Sequence, residues 1–107
     1  MPHYMVQAAY TPEALAALTK NPTNRAEVVK GTLKQLGGRI ETAYFTFGEY
    51  DIVAIVEVPD NVSAAAFAIG SAAKGHIKAM KTTPLLTMDE GLQAMAKGGS
   101  IDVIPPG

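Results

Sequence analysis

The segment Gly48-Glu49-Tyr50-Asp51 separates two dense apolar runs, Ile40 to Phe47 and Ile52 to Val58. A glycine followed closely by a tyrosine and a carboxylate is a polar, sterically special insert. Between two strand-like runs it predicts a tight hairpin, with β2 from Arg39 to Phe47 and β3 from Asp51 to Val58.

The flanking segments supply the remaining elements. His3 to Tyr10 alternates as a strand, β1, with Tyr4, Val6, Ala8 and Tyr10 on one face. Thr11-Pro12-Glu13 starts a short helix, α1: a capping hydroxyl, proline at the first helical position, then an acid. Asn21-Pro22 stops it, because a residue before proline is pushed out of the helical region. Asn24 with Glu27 resembles a capping box and opens a second helix, α2, to about Leu36, with Val29, Leu33 and Leu36 as its apolar stripe. Gly37-Gly38 closes it. Asp60 caps an Ala-rich helix, α3, from about Val62 to Lys74, whose small side chains suit close packing on a sheet. A fourth strand, β4, begins at His76, and Pro84 within it points to an edge position or a bend. Thr87 with Glu90 caps a last short helix, α4, to Lys97, with Met88, Leu92 and Met95 as its contacts. Gly98-Gly99-Ser100 reads as a flexible joint. The order is β-α-β-β-α-β, the split arrangement of a ferredoxin-like α+β domain with an antiparallel four-stranded sheet in the order 4-1-3-2. Residues 1–97 are assigned to that domain and 98–107 to an extended C-terminal tail.

Composition narrows the function classes. At 107 residues the chain is one domain with a real but modest core. Its net charge is −1, and its nine basic residues are scattered, which argues against a nucleic-acid footprint. With no cysteine there is no disulfide frame, thiolate nucleophile or zinc-thiolate site. No apolar stretch approaches a bilayer span, and Met1-Pro2-His3-Tyr4 does not resemble a secretion signal, so a cytoplasmic location is expected.

Both faces of β2 and β3 are apolar: Ala43, Phe45 and Phe47 alternate with Ile40 and Tyr44, and Val53 and Ile55 with Ile52, Ala54, Val56 and Val58. Two helices cover only one face of a four-stranded sheet, and an apolar face left in water is one that monomers rarely tolerate. Burying even about 600 Å2 of it offers roughly 15 kcal/mol gross at about 25 cal/mol per Å2, before association costs. The expectation is a homo-oligomer assembled through the sheet face.

From Leu36-Gly37-Gly38 through Phe45-Thr46-Phe47-Gly48-Glu49-Tyr50-Asp51 to Val56-Glu57-Val58-Pro59-Asp60, and again at Lys81-Thr82-Thr83-Pro84-Leu85-Leu86-Thr87, the chain resembles the GYD-domain family. The likeness implies a dimeric α/β-barrel of ferredoxin-like domains without an established biochemical activity. More distantly, the turn resembles one in the effector-binding domains of feast/famine transcription regulators. That resemblance implies an amino-acid-binding interface near the turn, without the DNA-reading helices.

The candidate ligand-binding residues are Gly48, Tyr50, Asp51 and His76. Gly48 most simply supplies a positive φ at the turn. Asp51 accepts backbone N–H bonds, as aspartate does in tight turns, or serves as a general base if burial raises its pKa. Tyr50 either packs at a subunit interface or lines a pocket. His3 and His76 lie on adjacent but antiparallel strands, which holds them apart, so no metal site is assigned, and no motif calls for a cofactor. The leading function is a non-enzymatic small-molecule-binding or assembly module with any ligand at a subunit interface. The alternative is a cofactor-independent monooxygenase- or isomerase-like enzyme. It would use Tyr44, Tyr50, Asp51 and His76 in a cavity between helices and sheet, against which the small-residue helix speaks. A third reading is a purely structural oligomer whose apolar tail docks on a neighbour.

Overall fold

A computed structural model describes all residues 1–107. The elements are β1 (His3–Tyr10), α1 (Pro12–Lys20), α2 (Arg25–Gln35), β2 (Arg39–Phe45), β3 (Ile52–Glu57), α3 (Asn61–Ala73), β4 (Ile77–Leu85) and α4 (Met88–Ser100). The sheet runs β2-β3-β1-β4 and each pairing is antiparallel, as the split motif predicts.

Local chemistry explains the ends. Thr11 Oγ1 accepts from Ala14 N, Asp60 Oδ1 from Ser63 N, and Asn24 Oδ1 from Ala26 N. Asn24 therefore caps α2 alone, without a reciprocal bond from Glu27. At α4 the box is complete: Glu90 N donates to Thr87 Oγ1 and Thr87 N to Glu90 Oε1. At the end of α2, Gly37 takes φ +74°, its N–H donates to Lys34 O, and Gly38 N donates to Leu33 O. This is a Schellman closure. It is also a close approach, because a Cβ on Gly38 would lie 2.6 Å from Glu57 O.

The main departures from the sequence reading lie at the hairpin and at the C-terminus. β2 stops at Phe45 and β3 starts at Ile52, since residues 46–51 form their own hydrogen-bonded turn. The expected joint at Gly98-Gly99-Ser100 is the last part of α4, so of the expected tail only residues 101–107 lack regular structure. Glycine permits a left-handed exit without requiring one. Gly38 is met by strand atoms that turn the chain back, whereas nothing lies within 4 Å of a Cβ placed on Gly98 or Gly99.

The core sits between the sheet and the helix pair α2 and α3. Tyr4 and Val6 of β1, Ala54 and Val56 of β3, Leu33 of α2 and Ala64 and Phe67 of α3 form one cluster with Val58. It is small: 11 of 107 residues are buried. The opposite face has no comparable cover. His3, Met5, Gln7, Val53 and Ile55 are only half-buried there, and Tyr44, paired with Val53, is 68% exposed. α4 packs substantially on no other element and leaves Met88, Leu92 and Met95 exposed. The accessible surface is 7585 Å2, whereas a compact monomer of this mass exposes about 5,700 Å2. The radius of gyration is 16.9 Å, against about 13 Å for a compact chain of this length.

Candidate functional site

The signature turn is built by backbone accounting. Thr46 N donates to Asp51 O at 2.7 Å, and Thr46 Oγ1 to Tyr50 O at 2.7 Å. Asp51 N donates to Ala8 O at 2.8 Å, extending the β1–β3 pairing by one residue. Its carboxylate Oδ2 accepts from Tyr10 N at 2.8 Å. A bulge between Ala9 and Tyr10 shifts the β1–β4 register there, and Asp51 supplies the acceptor that Tyr10 takes. Gly48 sits at φ +146°, a conformation side chains disfavour.

The four candidate residues share one end of the sheet but not one site. Gly48 and Tyr50 line an open cleft of about 440 Å3 with Gln7, Phe47, Val53 and Lys81 on the uncovered face. Asp51 points to the Tyr10 amide instead. His76 lies on the helix side, where its carbonyl accepts from Thr11 N and its residue lines a different cavity. Tyr44 is on the uncovered face opposite Val53, so it does not join His76 either. The catalytic set Tyr44, Tyr50, Asp51 and His76 is therefore not assembled within one chain.

The helix-side cavity, about 510 Å3, is bounded by β1, β3, β4, α2 and α3. An Ala-rich helix was expected to close on the sheet. Instead, Ala66, Gly70 and Ser71 leave room, because small side chains allow close approach only where the backbone takes it up. Arg25, Lys74 and His76 line it. A second cavity of about 230 Å3 under α1 shares Tyr10, Arg25 and His76 with it. Arg25 lies over the Tyr10 ring, 5.7 Å from its centroid, and its Nε is buried without a hydrogen-bond partner.

At the other end of the sheet His3 meets two carboxylates rather than His76. Its Nε2 lies 2.6 Å from Glu57 and 3.5 Å from Glu41, and Arg39 also bonds Glu57. Glu57 is the cross-strand partner of both His3 and Arg39, while Glu41 is the extra residue of a bulge in β2. The Arg39 hydrogen bond holds the Glu57 carboxyl below its ordinary range, helped by the charges of Arg39 and His3. Ligand atoms of His3, Glu41 and Glu57 fall within 4.8 Å of one another. With Arg39 already bonded to Glu57, the group is best described as an ion network on the uncovered face. Neither this network nor the Arg25–Lys74–His76 grouping was found from the residues alone. The first was within reach, since the strand order places residues 3, 57 and 39 side by side.

No helix is long and apolar enough to cross a membrane. The GYD domain model matches residues 4–95. A Thermus thermophilus protein named glutamine synthetase and cystathionine beta-lyase binding protein is 31% identical over 80 residues, covering 75% of this chain and 84% of the relative. Among solved structures, a hypothetical protein from Pyrococcus horikoshii aligns over 81% of this chain and 92% of its own, with 17% identity and a TM-score of 0.51. That likeness shows the fold. An uncharacterized NIPSNAP domain protein from Burkholderia xenovorans aligns over 81% and 94%, with 16% identity and a TM-score of 0.45. Matched over residues 4–95 of its 107, the chain belongs to the GYD-domain family.

Proposed function

We propose that this protein is a self-assembling protein-binding module, in which two copies pack through their uncovered sheet faces and the assembled surface docks a larger enzyme. The observation that carries this reading is the surplus of exposed surface, about 1,900 Å2 above that of a compact monomer. A standard interface removes about 800 Å2 from each partner, so the surplus is enough for a second copy and a further contact. The half-buried Met5, Val53 and Ile55 supply an apolar centre for such a face, and the His3–Glu57–Arg39 network a polar margin. The exposed stripe Met88, Leu92 and Met95 on α4 supplies a second apolar surface. The Thermus relative is named for binding two metabolic enzymes, and the same kind of partner is inferred here. A small ligand at Gly48 and Tyr50 would lie between the two copies, because their cleft opens on the face to be covered.

The test is sedimentation equilibrium of the wild type and of Ile55→Lys. Ile55 lies on the uncovered face beside Met5 and Thr42. In a two-fold interface each change removes about 1.5–3 kcal/mol of apolar burial in both copies and adds two desolvated charges. The dissociation constant should rise at least about a hundredfold, while circular dichroism stays native. A wild type that sediments as a monomer at tens of micromolar, or an unchanged variant, would sink the assembly. Failure of the assembled wild type to retain purified glutamine synthetase or cystathionine beta-lyase would remove the enzyme-docking half alone.

A further inference from the structure

The helix-side cavity has one polar end and one apolar end. α2 begins and α3 ends where β1 finishes and β4 starts, so Arg25, Lys74 and His76 gather at that end with Tyr10. Deeper in, the wall is Val29, Ala54 and Phe67, and thirteen of the twenty lining residues are apolar. No aspartate or glutamate lines it, and neither Arg25 nor Lys74 forms an ion pair with any acid of the chain. Arg25 goes further: its Nε is shielded from water with no acceptor. A shielded guanidinium N–H without an acceptor costs about 1–3 kcal/mol or more, and a bound anion would recover it.

We infer that this cavity is a binding site for a small organic carboxylate with an apolar body, its carboxylate held by Arg25 with Lys74 and His76 and its body lodged against Val29, Ala54 and Phe67. The volume of about 510 Å3 falls within the range of small-molecule sites, which are mostly apolar with a few convergent polar groups. A planar guanidinium matches a carboxylate in geometry, and the partly buried setting strengthens the bond. An inorganic anion would satisfy the cations and leave the apolar chamber unfilled. A neutral apolar molecule would fill the chamber and leave Arg25 unpaired. Only an amphipathic acid answers both ends. The site stands apart from the proposed assembly face, on the other side of the sheet, and does not depend on it.

Octanoate, octanol and inorganic phosphate are titrated into the full chain by calorimetry, together with two variants. Arg25→Gln removes the charge and keeps a polar stem. Gly70→Leu occupies the cavity wall. Nothing lies within 4 Å of a Cβ built on Gly70, and leucine is a better helix former, so this variant folds. Octanoate should bind at least about tenfold more tightly than octanol or phosphate, a difference of about 1.4 kcal/mol. Arg25→Gln should erase that preference without weakening octanol, and Gly70→Leu should weaken octanoate and octanol together. Absence of octanoate binding, equal wild-type affinity for octanol or phosphate, or an octanoate affinity left unchanged by either variant overturns the assignment.

Discussion

Replacing Asp51 by alanine tests whether the signature turn is architecture or active site. The carboxylate accepts the Tyr10 N–H at 2.8 Å, beside a buried tyrosine that is 4% exposed. Removing the acceptor leaves that amide without a protein partner next to the bulge, a loss of about 1–3 kcal/mol. Asp51→Asn keeps an oxygen at the same reach and should lose about 1 kcal/mol or less. Taking about 2 kcal/mol for alanine and roughly 2.1 cal/mol/K per residue for the unfolding entropy, Tm should fall by about 9 °C. Urea titration should give a lower midpoint at an unchanged slope. All variants must be compared at one protomer concentration, since association would add to apparent stability. If Asp51→Ala lies within about 0.5 kcal/mol of wild type, the Tyr10 bond is not what the carboxylate contributes, and a ligand role at the turn regains its standing.

Two glycines should respond in opposite directions. Gly38→Ala forces a Cβ to within 2.6 Å of Glu57 O and 2.7 Å of a Val58 methyl, and should destabilise by about 1–3 kcal/mol. Gly31→Ala, within α2 and open to solvent, should stabilise by about 0.5–1 kcal/mol; chemical denaturation reads both. Glu57, Asp60 and Glu90 are all held below their ordinary values of 4.5, 3.8 and 4.5, by hydrogen bonds from Arg39, Ser63 and Thr87 respectively. A carboxyl lowered on folding adds stability above its unfolded value that is lost as pH falls through the folded one. The urea midpoint should therefore hold near neutrality and decline as pH falls through the unfolded values and on through the lowered folded ones. Glu57→Gln should make that decline shallower, and an identical slope would count against the network.

Local signals carried most of the fold. Thr11-Pro12, Asn21-Pro22, Asp60 and the Thr87–Glu90 pair set helix ends through bonds a few residues long, so the residues suffice to place them. The alternation of β1 likewise grouped Tyr4, Val6, Ala8 and Tyr10 on one face, since alternation is a property of the strand alone, and the structure buries that face. What escaped depends on atoms brought from afar. Gly37-Gly38 and Gly98-Gly99 look alike on paper, yet only the first meets β3, and only the first ends its helix. The room under α3 depends on how far that helix stands from the sheet, which small side chains do not dictate. Tyr50 and His76 both stand in the candidate set, yet they line cavities on opposite sides of the sheet, a separation that only the assembled strands decide.

α4 carries a thermodynamic consequence. It spans 13 residues, includes Gly91, Gly98 and Gly99, and packs substantially on no other element of its own chain. A helix of that length and composition is marginal in water by itself. If the stripe of Met88, Leu92 and Met95 finds its partner surface, docking and ordering of the arm become one event. Such binding carries a larger negative heat-capacity change than rigid docking of the same area. Its affinity would then vary with temperature more steeply than that of the sheet face, giving one small chain two contacts that warming separates.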